Sequence, residues 1–360
     1  MANTVLDKYL PPVDLPEDLL DEVREHATAV DSGDSLARAV LPRLGAAGLI
    51  GLGAPNNRDG SLPSQVAVIA HLAGISLSVA FGLWGHRMSI EYLSLAGTDF
   101  AQRQLAELLE GTKPGISGMA SAFRAFAGAG PVDLEAQHTE GGFRISGTVP
   151  WASNLYDDAL LVTAARVEAD GDLIVIAFPL TAPGVRVGKD LDLLALKGTA
   201  STYVTVEDVF LPEEQVLSHE FREFMGTCRP SFGLLQSSFC LGLAQASLDN
   251  AQARLDKGLN NMFATDIRQA AERLDQLTQT VADYAERIGT DRAPDRRAVL
   301  AARLEAGQTA VELASLEIKT AGGKGYVTTS DANRRYREAA FLPVQSPSEA
   351  QLRWELEQGH

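Results

Sequence analysis

The sequence predicts an α+β protein in three blocks: an N-terminal helical domain, a central β-barrel or sandwich domain, and a C-terminal four-helix bundle. Three observations predict it. Helical patterning fills residues 1–115, short β-branched runs separated by turns fill 116–217, and helical patterning returns over 218–360. Strands and helices do not alternate, which excludes a doubly wound sheet.

Each element follows from local signals. Residues 16–30 open on a proline with acidic residues close behind, as helix starts do. Residues 35–49 carry Leu36, Val40, Leu41 and Leu44 and close near Gly48. Asn56 to Ser61 reads as a turn. Residues 66–84 form a run of 19 without a formal charge. This run contains His71, Gly74, Ser76, Ser78 and Gly82 and stands alone, so it reads as a buried helix of a large core and not as a membrane span. Residues 100–109 form a helix that stops at Gly111. In the β block, 142–147, 159–165, 173–178, 185–187 and 201–206 read as strands, with loops at 128–132 and 181–184. In the last block Ile267, Leu274, Leu277, Val281, Tyr284 and Ile288 make one helical seam, ended by Gly289 and Pro294. Leu304, Val311 and Ile318 repeat at seven on a helix that ends at Gly322-Gly323. Residues 234–255 and a short terminal helix complete the bundle.

Composition narrows the function. The 360 residues carry 31 Lys+Arg against 47 Asp+Glu, a net charge of −16, which excludes a nucleic-acid-binding face and an anionic membrane surface as partners. Two cysteines, Cys228 and Cys240, are too few for a disulfide framework or a common zinc site and read as small buried hydrophobes. The N-terminal segment lacks a basic region followed by an apolar run, so a cytoplasmic protein without a signal peptide is expected. There is no Walker A string, no Gly-x-Ser-x-Gly elbow and no His-Glu-x-x-His. None of the six histidines stands at metal-ligand spacing from another His or Cys, so no metal site is expected.

Four segments in order carry a resemblance. Gly142-Phe143-Arg144-Ile145-Ser146-Gly147-Thr148, followed by Pro150-Trp151-Ala152-Ser153-Asn154, is a strand pair. Thr202 to Pro212 reads TYVTVEDVFLP. Leu241-Gly242-Leu243-Ala244-Gln245-Ala246 opens a bundle helix. Ala321-Gly322-Gly323-Lys324-Gly325-Tyr326 precedes Arg334 and Arg337-Glu338-Ala339. Together they resemble the acyl-CoA dehydrogenase superfamily of flavoproteins over nearly the whole chain. The resemblance implies a flavin between the β domain and the bundle, FAD by family habit, with FMN or a loosely held, exchangeable flavin as the alternative. Trp151 would wall the ring, Ser153 would bond near N5, and the backbone of Met119, Ala120 and Ser121 would face the pyrimidine side. Gly322 and Gly323 would let a backbone approach the adenosine of the same or a neighbouring subunit. It also implies a homodimer or homotetramer.

The sequence departs from the family at the chemistry. Counting from Arg337, the usual catalytic glutamate falls on Ser346, and the alternative position on the first bundle helix falls near Phe232. Neither side chain abstracts a proton from carbon. Glu349 is the nearest carboxylate, and Ser346-Pro347-Ser348-Glu349 also reads as a capping box. The family's pyrophosphate arginine should lie within 258–262, which read Gly-Leu-Asn-Asn-Met. Lys319 stands where the family has a glutamine and would supply part of the phosphate charge. His86, in Gly85-His86-Arg87, is the candidate for proton transfer. Three functions stay open at this point. One is a monooxygenase-like flavoenzyme on a small organic substrate, supplied with reduced flavin by a flavin reductase. The second is an acyl-CoA dehydrogenase proper, and the third a non-catalytic paralogue subunit.

Overall fold

The computed structural model describes residues 4–55, 61–168, 171–255 and 258–358. The expected turn over 56–61 lies outside the described residues except for Ser61, which caps α4. Six helices come first: α1 (Val5–Tyr9), α2 (Glu17–Ser32), α3 (Leu41–Ala46), α4 (Leu62–Ile75), α5 (Leu77–Ala96) and α6 (Asp99–Leu109). The uncharged run is two helices, not one. Ser76 adopts extended backbone between α4 and α5, and its Oγ accepts from the Val79 N–H at 3.4 Å as the cap of α5. Both helices are buried on nearly every face, and among the described residues no helix is long and apolar enough to cross a membrane.

The middle block holds β1 (Gly115–Ser117), α7 (Ala120–Ala127), β2 (Leu134–Thr139), β3 (Gly142–Ala152), β4 (Leu160–Val167), β5 (Leu173–Pro179), β6 (Val185–Val187), β7 (Thr202–Pro212) and β8 (Val216–Ser218). The hydrogen-bonded order is β6-β7-β3-β2-β4-β5-β8, with β1 added parallel to β4. Nearly every strand contributes to one apolar core: Ile116, Ala136, Ile145, Leu161, Ile176, Val206 and Val216 all face it. A sheet whose strands share a single core must curl around it. The other face of β4 and β5 (Leu160, Val162, Ala164, Val175, Ala177) joins the helical core. That double burial explains why β4 reads as a continuous apolar run. Helix α7 interrupts the β block where sequence patterning gave no helix.

The last block is α8 (Phe221–Gln252), α9 (Ala264–Arg287), α10 (Arg296–Ala321), α11 (Asp331–Ala339) and α12 (Glu349–Gln358). The α9 seam buries Ile267, Leu274, Leu277 and Val281, while Tyr284 and Ile288 are half-buried. The seven-residue repeat on α10 is out of phase. Leu304, Val311 and Ile318 are half-buried, and the core face is Ala302, Ala306, Ala310, Leu313 and Ala314 with Arg303 and Glu317. Gly322, at φ +60°, ends α10 as expected.

Candidate functional site

The three blocks meet at a cavity of about 630 Å³, within the range of small-molecule sites. Helix α5 contributes Phe81, Trp84 and Gly85. Helix α7 contributes Ala120, Ser121 and Arg124, and the end of β3 contributes Pro150 to Ser153. The loop before β7 supplies Leu193 to Leu196, Thr199 and Ser201; Phe232, Arg337, Phe341, Gln345 and Ser346 close the back. The rings interlock. Phe81 stacks on Trp84 at 5.4 Å, Phe341 meets Phe81 edge-on at 4.9 Å, and Phe232 meets Trp84 at 5.0 Å and Phe123 at 4.0 Å.

Two of the lining residues carry a buried polar atom without a partner: Ser121 Oγ and Trp84 Nε1. Buried polar atoms are ordinarily bonded, so orphans beside a cavity mark a place where a bound ligand could complete the bonding. No side chain caps the N-terminus of α7, which begins at Ala120. Trp151, at the end of β3, is 58% exposed and presents a flat apolar face. A hydroxyl row runs from Ser153 Oγ to Ser201 Oγ at 2.7 Å, on to Thr199 Oγ1 at 2.7 Å, and ends where Thr199 donates to the Leu196 carbonyl at 2.7 Å.

Charge is distributed unevenly. Arg124 pairs with Asp133 at 3.3 Å at the rim. Arg337 Nη1 donates to Asp31 at 2.5 Å and to the Leu194 carbonyl at 3.1 Å, while Asp31 accepts from the Leu196 N–H at 3.0 Å. This one carboxylate therefore fixes the 193–196 loop against α11. Behind the back wall, Arg303 donates to Gln236 Oε1 at 3.2 Å and to Gln345 Oε1 at 3.0 Å. Gln236 in turn holds the Ser346 carbonyl at 2.8 Å. None of the ion pairs among the described residues uses Arg303. Asp133 is the one carboxylate among the lining residues.

The structure thus brings Ala120, Ser121, Trp151 and Ser153 to the lining of one cavity, while Met119, the residue before α7, is buried. Ser346 and Phe232, the two positions where counting places a family glutamate, line the same cavity. Other candidates lie elsewhere. Lys319 belongs to a separate recess with Asp266, Gln308, Glu312 and Glu349, and Gly322 and Gly323 are exposed at the far end of α10. Glu349 is the first residue of α12; it accepts from Gln308 at 3.0 Å and from Arg353 at 2.6 Å, and Arg353 holds its carboxyl below the usual range. The cap of α12 is Ser348, which accepts from the Gln351 N–H at 3.3 Å, whereas the Gln351 side chain donates to Glu355, so the capping box expected from Ser346 to Glu349 is not formed and the cap lies two residues later.

His86 is not on the cavity wall. Its Nε2 contacts the Leu108 carbonyl at 2.9 Å and its Nδ1 accepts from the Gly115 N–H at 2.9 Å. Both ring nitrogens are committed to backbone, so a neutral imidazole stitches α6 to β1 and has no proton to exchange with a ligand. Burial, aided by Arg87 and Arg38, depresses it to about 4 from 6.5. An unfolded chain binds this proton near 6.5 and the folded one only near 4. Between those values the unfolded state binds more protons, so stability falls as pH falls through that window. His86→Gln should flatten this part of the profile, checked by urea unfolding of both proteins from pH 7 to 4.

Sequence reasoning missed Arg303, Asp31 and the Thr199–Ser201 hydroxyls. Their partners lie between 2 and 306 residues away, and no local pattern marks them.

No family model matches the chain. It is 25% identical over 343 residues to the short-chain specific acyl-CoA dehydrogenase, mitochondrial, of Mus musculus, covering 88% of this chain and 81% of that protein. The fold aligns with butyryl-CoA dehydrogenase from Megasphaera elsdenii at a TM-score of 0.82 and 17% identity, over 97% of this chain and 99% of that one. It aligns with KijD3, solved with FMN and dTDP-3-amino-2,3,6-trideoxy-4-keto-3-methyl-D-glucose, at a TM-score of 0.81 and 19% identity, over 100% and 96%. In sequence along 88% of its length, and in fold, the chain matches the acyl-CoA dehydrogenase superfamily of flavoproteins.

Proposed function

We propose that this protein is a flavin-dependent oxidoreductase whose cavity seats the flavin ring against Trp151. The observation that carries this reading is the convergence of Ala120, Ser121, Trp151 and Ser153 on one cavity with two orphaned buried polar atoms. The donor set fits the group. Trp151 supplies a flat wall, Ser121 and the free N–H groups of α7 offer hydrogen bonds to the pyrimidine edge, and the aromatic side supplies a dry substrate chamber. When bound, the flavin supplies the electron transfer. The chain excludes water with Phe81, Trp84, Phe232 and Phe341 and orients the substrate between them and the Gln345–Ser346 wall.

The finer reading is a reaction without a carboxylate base, of the monooxygenase type, fed with reduced flavin by a reductase. It rests on the lining residues, where Asp133 is already paired with Arg124. A structural neighbour solved with FMN keeps FMN as open as FAD for this chain. The second reading, α,β-dehydrogenation of an acyl thioester, is the one the names of the sequence relatives favour. We further propose a homo-oligomer, which would bring a neighbour's surface to the exposed Gly322-Gly323 end.

Anaerobic addition of butyryl-CoA to the flavin-loaded protein separates the readings. The base-free reading expects no bleaching of the flavin band, with oxygen uptake once reduced flavin is supplied. Bleaching by the thioester assigns the dehydrogenase instead. A protein that takes up neither FAD nor FMN is the non-catalytic subunit.

A further inference from the structure

Three hydroxyls beside Trp151 have their proton directions fixed by a single carbonyl. A carbonyl only accepts, so at 2.7 Å the Thr199 hydroxyl must donate to Leu196 O. Thr199 has one hydroxyl hydrogen, so in its 2.7 Å contact with Ser201 it accepts and Ser201 donates. Ser201 is then also spent, and in its 2.7 Å contact with Ser153 it accepts, leaving Ser153 as the donor. Ser153 therefore has no hydrogen left for the cavity and offers it lone pairs alone.

The row is held rigidly. Leu196 and Ala200 bracket it at φ +61° and +47°, both in the left-handed region that non-glycine residues avoid. Such strain persists only where surrounding contacts over-determine it, and it concentrates at ligand sites. Here the contacts are present. The Asn154 N–H bonds the Thr199 carbonyl at 2.8 Å, Asp31 holds the Leu196 N–H at 3.0 Å, and a Cβ on Gly198 would stand 2.4 Å from the carbonyls of Val30 and Ser35.

We infer that Ser153 is an obligate acceptor which selects the redox state of the flavin, favouring the reduced form. The inference rests on the flavin reading above and deepens it. The N5 position of an oxidised flavin is an acceptor, and two acceptors facing each other leave an unsatisfied pair. The reduced ring carries hydrogen on N5 and donates to Ser153. Thr199 and Ser201 act through Ser153 as positioning residues. The selection suits a protein that receives its flavin already reduced and releases it once oxidised.

The test is a pair of binding titrations for each of FMN and FAD, oxidised by fluorescence quenching and reduced by anaerobic ultrafiltration. The wild-type protein should bind the reduced form at least about ten-fold more tightly, on the order of one hydrogen bond's worth. Thr199→Val removes the fixed end of the row and frees Ser153 to donate, so the two affinities should converge. Ser153→Ala should weaken reduced flavin alone. Circular dichroism verifies that both variants fold. Equal wild-type affinities, or a preference that survives both substitutions, overturn the inference while leaving the flavin reading standing. Binding of neither redox state overturns the flavin reading and the inference together.

Discussion

Gly242→Ala should destabilise the protein by about 3 kcal/mol, at the upper end of overpacking costs, while Gly74→Ala on the facing helix should be close to neutral. Both glycines sit where α4 crosses α8. A Cβ on Gly242 would lie 1.9 Å from the Ala70 carbonyl oxygen, 2.7 Å from its carbon and 2.9 Å from Ala73 Cβ. Two of those three atoms are backbone and cannot rotate aside, so the helices must separate. A Cβ on Gly74 would meet Gly242 O at 3.4 Å and Ala246 Cβ at 3.8 Å, which is ordinary contact. Alanine also regains up to about 1 kcal/mol of helix propensity over glycine. The effect of Gly242→Ala should reach the cavity, because α8 carries Phe232 and Phe239 and α5 follows α4 directly. Urea unfolding of both variants checks this. Equal midpoints would mean that the two helices do not meet on glycine.

The helix–β–helix order was legible in the sequence because it is written in periodicity, which residues impose on their neighbours. The candidate wall residues came from resemblance and not from periodicity. Trp151 and Ser153 stand in a string that resembles a family motif, and the structure places them with Ser121 on the lining of one cavity. What was not legible depends on partners remote in sequence. His86 follows an apolar stretch and looks available, yet Leu108 and Gly115 take both ring nitrogens. The α10 heptad misled because counting treats charge as surface, whereas Arg303 and Glu317 are buried and the apolar face is built largely from alanine. Helix α7 was hidden by its length of eight residues within a block of strands. The cap was read at Ser346 and lies at Ser348, because two serines flank one proline and the spacing to Glu349 favoured the first.

Arg335→Met should cost about 3–5 kcal/mol, because it leaves a buried carboxylate without its fork. Glu317 on α10 is fully buried and accepts from Arg335 Nε at 2.8 Å and Nη2 at 2.5 Å; its other cation, Arg254, stands off at 3.9 Å. Desolvation opposes such a pair almost as strongly as attraction favours it, so the pair itself adds little net stability. The double replacement Glu317→Leu with Arg335→Met should therefore recover most of the loss of the single one, and a double-mutant cycle measures the difference. The consequence for function follows from what the fork holds. Arg335 docks α11 on α10, and two residues further along α11 Arg337 reaches Asp31 and the Leu194 carbonyl on the cavity lining. Loosening α11 releases the loop that carries Leu196 and the hydroxyl row behind Ser153. Arg335→Met should thus lose ligand affinity along with stability, whereas the double variant should regain stability first. If affinity is untouched while stability falls, α11 does not position the loop, and Asp31 alone must hold it through the Leu196 N–H.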